Sequence, residues 1–237
     1  MTYQLAKNEV HIWRACFDWP QDKLDDAFKI LSQDEQARAA RFVMAKHRKR
    51  YIAAHAALRQ ILSGYVKRTP GELTFYQNKH GKPYLSDLPA DLSIQFNMSD
   101  SKAFGLYGVT LGAEIGVDIE YIKPDIQLEE IAQRFFSPSE YEALLALSVA
   151  QRLEAFYRCW TRKEAYIKVI GQGLSFNLDR FVVSLKRDGL DCLLRVDGSS
   201  EHAQRWCLGP IQAPNHYQAA VAVAGKISKI TYFDFQK

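Results

Sequence analysis

A helix-forming run with a glutamate inside its apolar stripe constrains this chain more than any other feature. Projected at about 100° per residue, Leu153, Phe156, Tyr157, Trp160 and Ile167 fall on one stripe, and Glu164 falls among them. Lys163 and Lys168 flank that stripe on its two edges. A carboxylate on a buried face is costly unless it is paired or binds a cation. The fold must therefore close an i,i+4 pair between Glu164 and Lys168, or bring further charged groups to Glu164.

A second stretch could supply such groups. Gly116-Val117-Asp118-Ile119-Glu120 alternates as a strand, with Val117 and Ile119 on one face and Asp118 and Glu120 on the other. Two such carboxylates lie about 7 Å apart at Cα. A hard cation such as Mg²⁺ takes oxygen ligands of this kind and often shares them with a phosphate. The plainer alternative is a half-buried strand with a charged outer face, and this stretch alone leaves both open.

The rest of the pattern repeats twice. In the first half, Ser32-Gln33-Asp34-Glu35 is a capping box that predicts a helix from Gln33. Tyr51, Ala54, Leu58, Ile61 and Leu62 then recur at helical spacing until Gly64. In the second half, Ser137-Pro138-Ser139-Glu140 is again a capping box. Ser148-Val149-Ala150-Gln151 repeats the signal and opens a long helix that ends near Gly171 and Gly173. Strand-like runs precede the first of these helices, at residues 10–14, and follow each half, at 73–76, 92–98, 104–110, 181–185, 193–196, 217–223 and 230–235. Short connections between neighbouring runs predict antiparallel pairing. The expected fold is α+β, with two similar lobes, residues 1–112 and 113–237, meeting near Gly112 around a ligand cleft. The second lobe would carry the metal and catalytic residues.

Composition narrows the functional class. The 237 residues are 47% hydrophobic and 24% charged, the balance of an ordinary globular protein, with a formal net charge of +4. That charge mildly favours acidic or phosphorylated partners. Cys16, Cys159, Cys192 and Cys207 show no CxxC spacing, so they read as reduced thiols of a cytoplasmic protein. No N-terminal signal pattern is visible, and no apolar run approaches the roughly 18 residues of a membrane helix. The cluster Lys46, His47, Arg48, Lys49 and Arg50 is either a solvated face or a phosphate grip. In the second case Arg38 and Arg50 are the better placed, because arginine offers a planar donor fork. The same cluster also supports a different class, a basic non-catalytic module for nucleic acid or an acidic partner; a metal-dependent nuclease is a third.

Gly-Val-Asp-Ile-Glu, followed about forty residues later by Phe-Tyr-Arg-Cys-Trp-Thr-Arg-Lys-Glu-Ala-Tyr-Ile-Lys, resembles the 4′-phosphopantetheinyl transferases of the surfactin-synthetase-activating type. The resemblance extends to Gly81-Lys82-Pro83, Phe96-Asn97-Met98-Ser99 and Arg134-Phe135-Phe136-Ser137. It implies a monomer whose lobes are related by a pseudo-twofold axis, each with a mostly antiparallel sheet on a long helix. Coenzyme A and Mg²⁺ would lie between the lobes. The phosphopantetheine arm would pass to a serine of an apo carrier protein, acyl, polyketide or peptidyl, releasing adenosine 3′,5′-bisphosphate; no nucleic acid or membrane partner is implied. By motif position, Asp118, Glu120 and Glu164 would ligate the metal, Glu164 would be the candidate base, and Lys163 and Lys168 would contact the phosphates. Arg50, Lys82, Pro83 and Ser99, with Arg38 less securely, match coenzyme-binding positions. Where the family usually carries a histidine against the 3′-phosphate, this chain has Asp100. The segment 121–136 is expected to meet the carrier, with Ile126, Leu128 and Ile131 either in contact with it or packed in the core.

Overall fold

The computed structural model describes residues 3–89, 92–173 and 176–235. The first lobe runs β1 (Glu9–Cys16), α1 (Gln21–Lys29), α2 (Gln33–Ala40), α3 (Ala45–Ser63), β2 (Phe75–Gln77), β3 (Pro83–Leu85), β4 (Ile94–Ser101) and β5 (Phe104–Leu111). After it come β6 (Ile115–Tyr121), α4 (Leu128–Phe135), α5 (Pro138–Leu145), α6 (Val149–Ile170), β7 (Phe181–Val183) and β8 (Leu193–Val196). The chain closes with α7 (Ser200–Ala203), β9 (Trp206–Pro210), β10 (Tyr217–Ala224) and β11 (Lys229–Phe235).

Two sheets form the centre, one ordered β11-β1-β5-β4 and the other β6-β10-β9. Period-two alternation assigns their faces. Trp13, Tyr107 and Val109 turn outward onto α3, whereas Ile12, Leu106, Val117, Ile119 and Val221 meet between the sheets. Ala220 and Ala222 turn to the other side, onto α6. The order is therefore helix, sheet, sheet, helix, which agrees with the α+β expectation of sheets packed on long helices. A Cβ on Gly116 would lie 2.1 Å from Ala165 O, so only glycine lets α6 rest directly on β6. A Cβ on Gly108 would lie 2.6 Å from the Ile115 side chain, which fixes how closely the sheets approach.

Both capping boxes form, Ser32 with Glu35 and Ser137 with Glu140. The third does not close fully: Ser148 caps α6 by position, but its hydroxyl donates to the Gln151 side chain instead of accepting from the backbone. Gly171 ends α6 in the left-handed region, at φ 64°. One pairing departs from the antiparallel expectation. β11 returns from the C-terminal end of the chain to lie parallel to β1, pairing Ile12 with Tyr232, so the last strand completes the first sheet. All four cysteines are free thiols. No helix among the described residues is long and apolar enough to cross a membrane.

Candidate active site

The site begins where two sheet edges face each other. β4 is the edge of one sheet and β6 the edge of the other. An edge strand presents unpaired backbone groups that need partners. Here side chains supply them. Asn97 Oδ1 accepts from Val117 N at 2.9 Å, Ser99 Oγ from Ile119 N at 3.4 Å, and Ser101 Oγ from Tyr121 N at 3.1 Å. Alternate residues of one strand thus satisfy alternate amides of the other. The two serines then donate onward, Ser99 to Asp118 Oδ1 at 2.9 Å and Ser101 to Glu120 Oε2 at 2.8 Å. The ladder that joins the sheets also fixes the two carboxylates of β6.

Helix α6 delivers the third carboxylate. The helix is buried on almost every side, because the β6-β10-β9 sheet covers one flank and α5 and β7 others. Its partly exposed line is Trp160, Glu164 and Lys168, each four residues apart. This corrects the sequence expectation: Glu164 does not point into the core but along the opening between the lobes. Lys168 Nζ donates to Asp118 Oδ1 at 2.7 Å and to Ser99 Oγ at 2.8 Å. Glu164 does not form the i,i+4 pair with Lys168, because the lysine is on Asp118. Burial, then the neighbouring Asp118 carboxylate, raises the Glu164 pKa, with Lys168 opposing. The same two causes, in the same order, raise that of Glu120. Three acids that feel one another at partial burial form a concentrated patch of negative potential.

The donor chemistry fits a hard divalent cation. Asp118 is 3% exposed, and its Oδ2 is buried without a hydrogen-bond partner, an oxygen that a cation would satisfy. As the side chains stand, no three carboxylate, histidine or cysteine groups among the described residues converge on one point. The Lys168 ammonium is the cation on Asp118 in this arrangement.

From the carboxylates a groove runs into the first lobe. A cavity of about 260 Å³ is lined by Glu164, Lys168, Asn97, Met98, Gly81 and Pro83. Gly81, Pro83 and Met98 also line a second cavity of about 630 Å³ with Arg38, Tyr51 and His55. Met98, Tyr51 and His55 recur in a third, of about 280 Å³, with Phe42, Arg50 and Asp100. The shared walls make these one groove, with Glu164 and Lys168 at one end and Arg50 at the other, cationic end. Its cationic end is partly neutralised within the chain. The Arg50 guanidinium pairs with the Asp100 carboxylate and donates to Asp100 O at 2.9 Å.

Three expected contacts are not available as expected. Lys163 is 1% exposed and lies elsewhere on α6, where its ammonium meets Glu140 Oε2 at 2.8 Å and donates to Leu178 O at 2.7 Å and Phe181 O at 3.0 Å. It is a core ion pair and does not face the groove. Lys82 lines the groove with its stem, but its ammonium pairs with Glu114 and donates to Ile115 O and Val169 O, so it braces the 79–83 turn against the second lobe. Ser99 holds Asp118 and Lys168 and, at 8% exposure, contributes little surface to the groove. Arg38 and Pro83 do line it. Asn97 and Ser101 were missed as site residues, although the alternation Asn97, Ser99, Ser101 on one strand face was their readable signal. Ile126, Leu128 and Ile131 are half-buried against the second-lobe core.

Comparison with known proteins covers most of the chain. The description of the 4′-phosphopantetheinyl transferase superfamily matches residues 114–222. That of the 4′-phosphopantetheinyl transferase N-terminal region matches residues 17–110. The chain is 39% identical over 221 residues to the 4′-phosphopantetheinyl transferase HetI of Nostoc sp., covering 93% of this chain and 90% of that protein. It is 34% identical over 169 residues to the 4′-phosphopantetheinyl transferase Sfp of Bacillus subtilis, covering 71% and 73%. It is 25% identical over 215 residues to the L-aminoadipate-semialdehyde dehydrogenase-phosphopantetheinyl transferase of Mus musculus, covering 83% and 68%.

Proposed function

The chain belongs to the 4′-phosphopantetheinyl transferase superfamily, and we propose that its inter-lobe groove holds coenzyme A and Mg²⁺ and passes the phosphopantetheine arm to a serine of an apo carrier protein. Family membership makes it an enzyme and sets aside the non-catalytic module. The observation that carries the reading is that Glu164 and Lys168 line one end of a groove, with Asp118 paired to Lys168 and the charges of Asp118 and Glu120 felt at Glu164, while Arg50 lines the other end.

In this reading Asp118, Glu120 and Glu164 hold the cation, whose charge offsets that of the pyrophosphate. The carrier serine Oγ bonds to the β-phosphorus of coenzyme A, and the bond from that phosphorus to the α–β bridging oxygen breaks, releasing adenosine 3′,5′-bisphosphate. The serine proton passes to Glu164 or to a water that it holds. A carboxyl whose pKa is raised by burial is a better proton acceptor near neutral pH than an ordinary one. Lys168, already facing the site, neutralises charge on the phosphoryl group in transfer. Arg38 and Arg50 take the nucleotide end, and Pro83 and Met98 form the wall between. The enzyme acts as a cytoplasmic monomer of two lobes divided near Gly112, and segment 121–136 faces the carrier. Calorimetry tests the site: coenzyme A should bind more tightly with Mg²⁺ than with a chelator, and Asp118→Asn should remove the difference. Equal binding in both conditions by the wild type would contradict the metal assignment.

A further inference from the structure

We propose that the turn at residues 41–44 and the outward side of the first turn of α3 form a second docking surface, for an acidic face of the apo carrier protein. The proposal rests on the transferase reading and adds a surface in the first lobe. Phe42, Val43 and Met44 are 37%, 100% and 50% exposed, three consecutive apolar side chains in water. The other large exposed apolar residues, Tyr76, Val149 and Leu194, are scattered along the sequence. Single exposed apolar residues are ordinary, whereas a contiguous patch marks an interaction site.

The charge beside this patch is unusual in the same way. Helix α3 begins with no side-chain cap and no acidic residue in its first turn, where Lys46, His47 and Arg48 stand instead. The positive end of a helix dipole disfavours cations at that position. Among the described residues no carboxylate pairs with Arg41, Lys46 or Lys49, and the nearby Asp100 is taken by Arg50. Helix N-terminus and cations together form a positive field.

The groove does not account for these groups. Phe42, His47 and Arg50 line its cationic end, but Val43, Lys46 and Lys49 do not. The inner members of the cluster therefore serve a small molecule, and the outer ones are left for something large. A chain of contacts links the helix that bears the patch to the carboxylates. Arg50 pairs with Asp100, and the adjacent Ser99 touches Asp118. A carrier with an acidic surface and an apolar hollow complements the turn in both charge and polarity.

Steady-state transfer to an acidic apo acyl carrier protein tests this with Val43→Glu and with the pair Lys46→Glu and Lys49→Glu, alongside calorimetry of coenzyme A. Both variants should raise the carrier KM about tenfold or more while kcat and coenzyme A affinity stay within about twofold. The wild-type carrier KM should rise with salt, and the lysine variant should lose most of that dependence. Because Lys46 and Lys49 are exposed, their variant decides the matter if Val43→Glu fails to fold. A carrier KM unchanged in the lysine variant overturns the proposal. So does binding of the wild type to phosphatidylglycerol vesicles with an unchanged carrier KM in the variants, which would assign the patch to a membrane. If the wild type transfers to no carrier, the transferase reading itself falls, and this surface with it.

Discussion

Ser99 Oγ donates to Asp118 Oδ1 at 2.9 Å while accepting from Lys168 Nζ at 2.8 Å and from Ile119 N at 3.4 Å. One hydroxyl thus joins a strand of the first lobe to a strand and a helix of the second, with every bonding capacity used. The carboxylate that the cation needs is placed by the contact that holds the lobes together, so stability and activity are coupled at this residue.

That coupling separates two substitutions in the ladder. Asn97→Ala leaves Val117 N buried without a partner and should cost about 1–3 kcal/mol of stability. Asn97 bonds none of the three carboxylates, so the Mg²⁺-dependent gain in coenzyme A affinity should stay close to wild type, while the loss of a groove-lining side chain shifts affinity alike with and without the metal. Ser99→Ala should cost a similar amount and also weaken Mg²⁺-dependent coenzyme A binding, because Asp118 loses its support. Urea unfolding and calorimetry on both variants check this; an identical binding loss in the two would show that the ladder does not position Asp118.

Glu164→Gln keeps the side-chain shape and removes the proton acceptor. Turnover should fall by about 10²-fold or more, with coenzyme A affinity changed far less. Single-turnover transfer to an apo carrier measures the first and calorimetry the second. Full turnover in this variant would remove Glu164 from the base role.

Glu35 ties α2 to α3 through His55 and Arg59. Burial would raise its pKa, but bonds from His55, Ser32 N and Arg59 hold it down at about 2. A carboxyl depressed from 4.5 to about 2 contributes stability of roughly 3 kcal/mol, about 1.4 kcal/mol for each unit. That stability is present above pH 4.5 and is lost as pH falls toward 2. Glu35→Gln should therefore lower the unfolding free energy at pH 7 and flatten its dependence on pH in that acid window. A variant with the wild-type acid slope would show that Glu35 does not carry it.

Asp100, at the position where the family resemblance implies a histidine against the 3′-phosphate of coenzyme A, pairs with Arg50. Two like charges about 5 Å apart at an effective dielectric of about 20 repel by roughly 3 kcal/mol, and the Arg50 pair offsets part of that. Asp100→His should tighten coenzyme A binding by up to about tenfold and barely change binding of 3′-dephospho-coenzyme A. Equal changes for the two ligands would show that Asp100 does not sense the 3′-phosphate.

The sequence was most legible where the signal is local and periodic. The alternation in Gly116-Val117-Asp118-Ile119-Glu120 places its faces correctly, and the capping boxes at Ser32 and Ser137 locate two helix starts. A single-stripe projection failed for α6 because that helix is covered on most sides, which makes the part-exposed line of Trp160, Glu164 and Lys168 the informative one. The buried pairings of Lys163 and Lys82 are illegible for a different reason. Their partners, Glu140 and Glu114, lie 23 and 32 residues away by subtraction of their numbers, and no local pattern announces such a buried pair. The parallel return of β11 to β1 is likewise set by the tertiary fold, since the run at 230–235 carries no mark of its partner.

The most direct test of the central claim is the intact mass of an apo carrier protein after incubation with this enzyme, coenzyme A and Mg²⁺. The carrier should gain one phosphopantetheine on its serine with the wild type, and gain none in the same time with Asp118→Asn, whose Oδ1 and Oδ2 environments would no longer hold a carboxylate. No gain on any of a panel of acyl, polyketide and peptidyl apo carriers with the wild type, or an equal gain with Asp118→Asn, would contradict it.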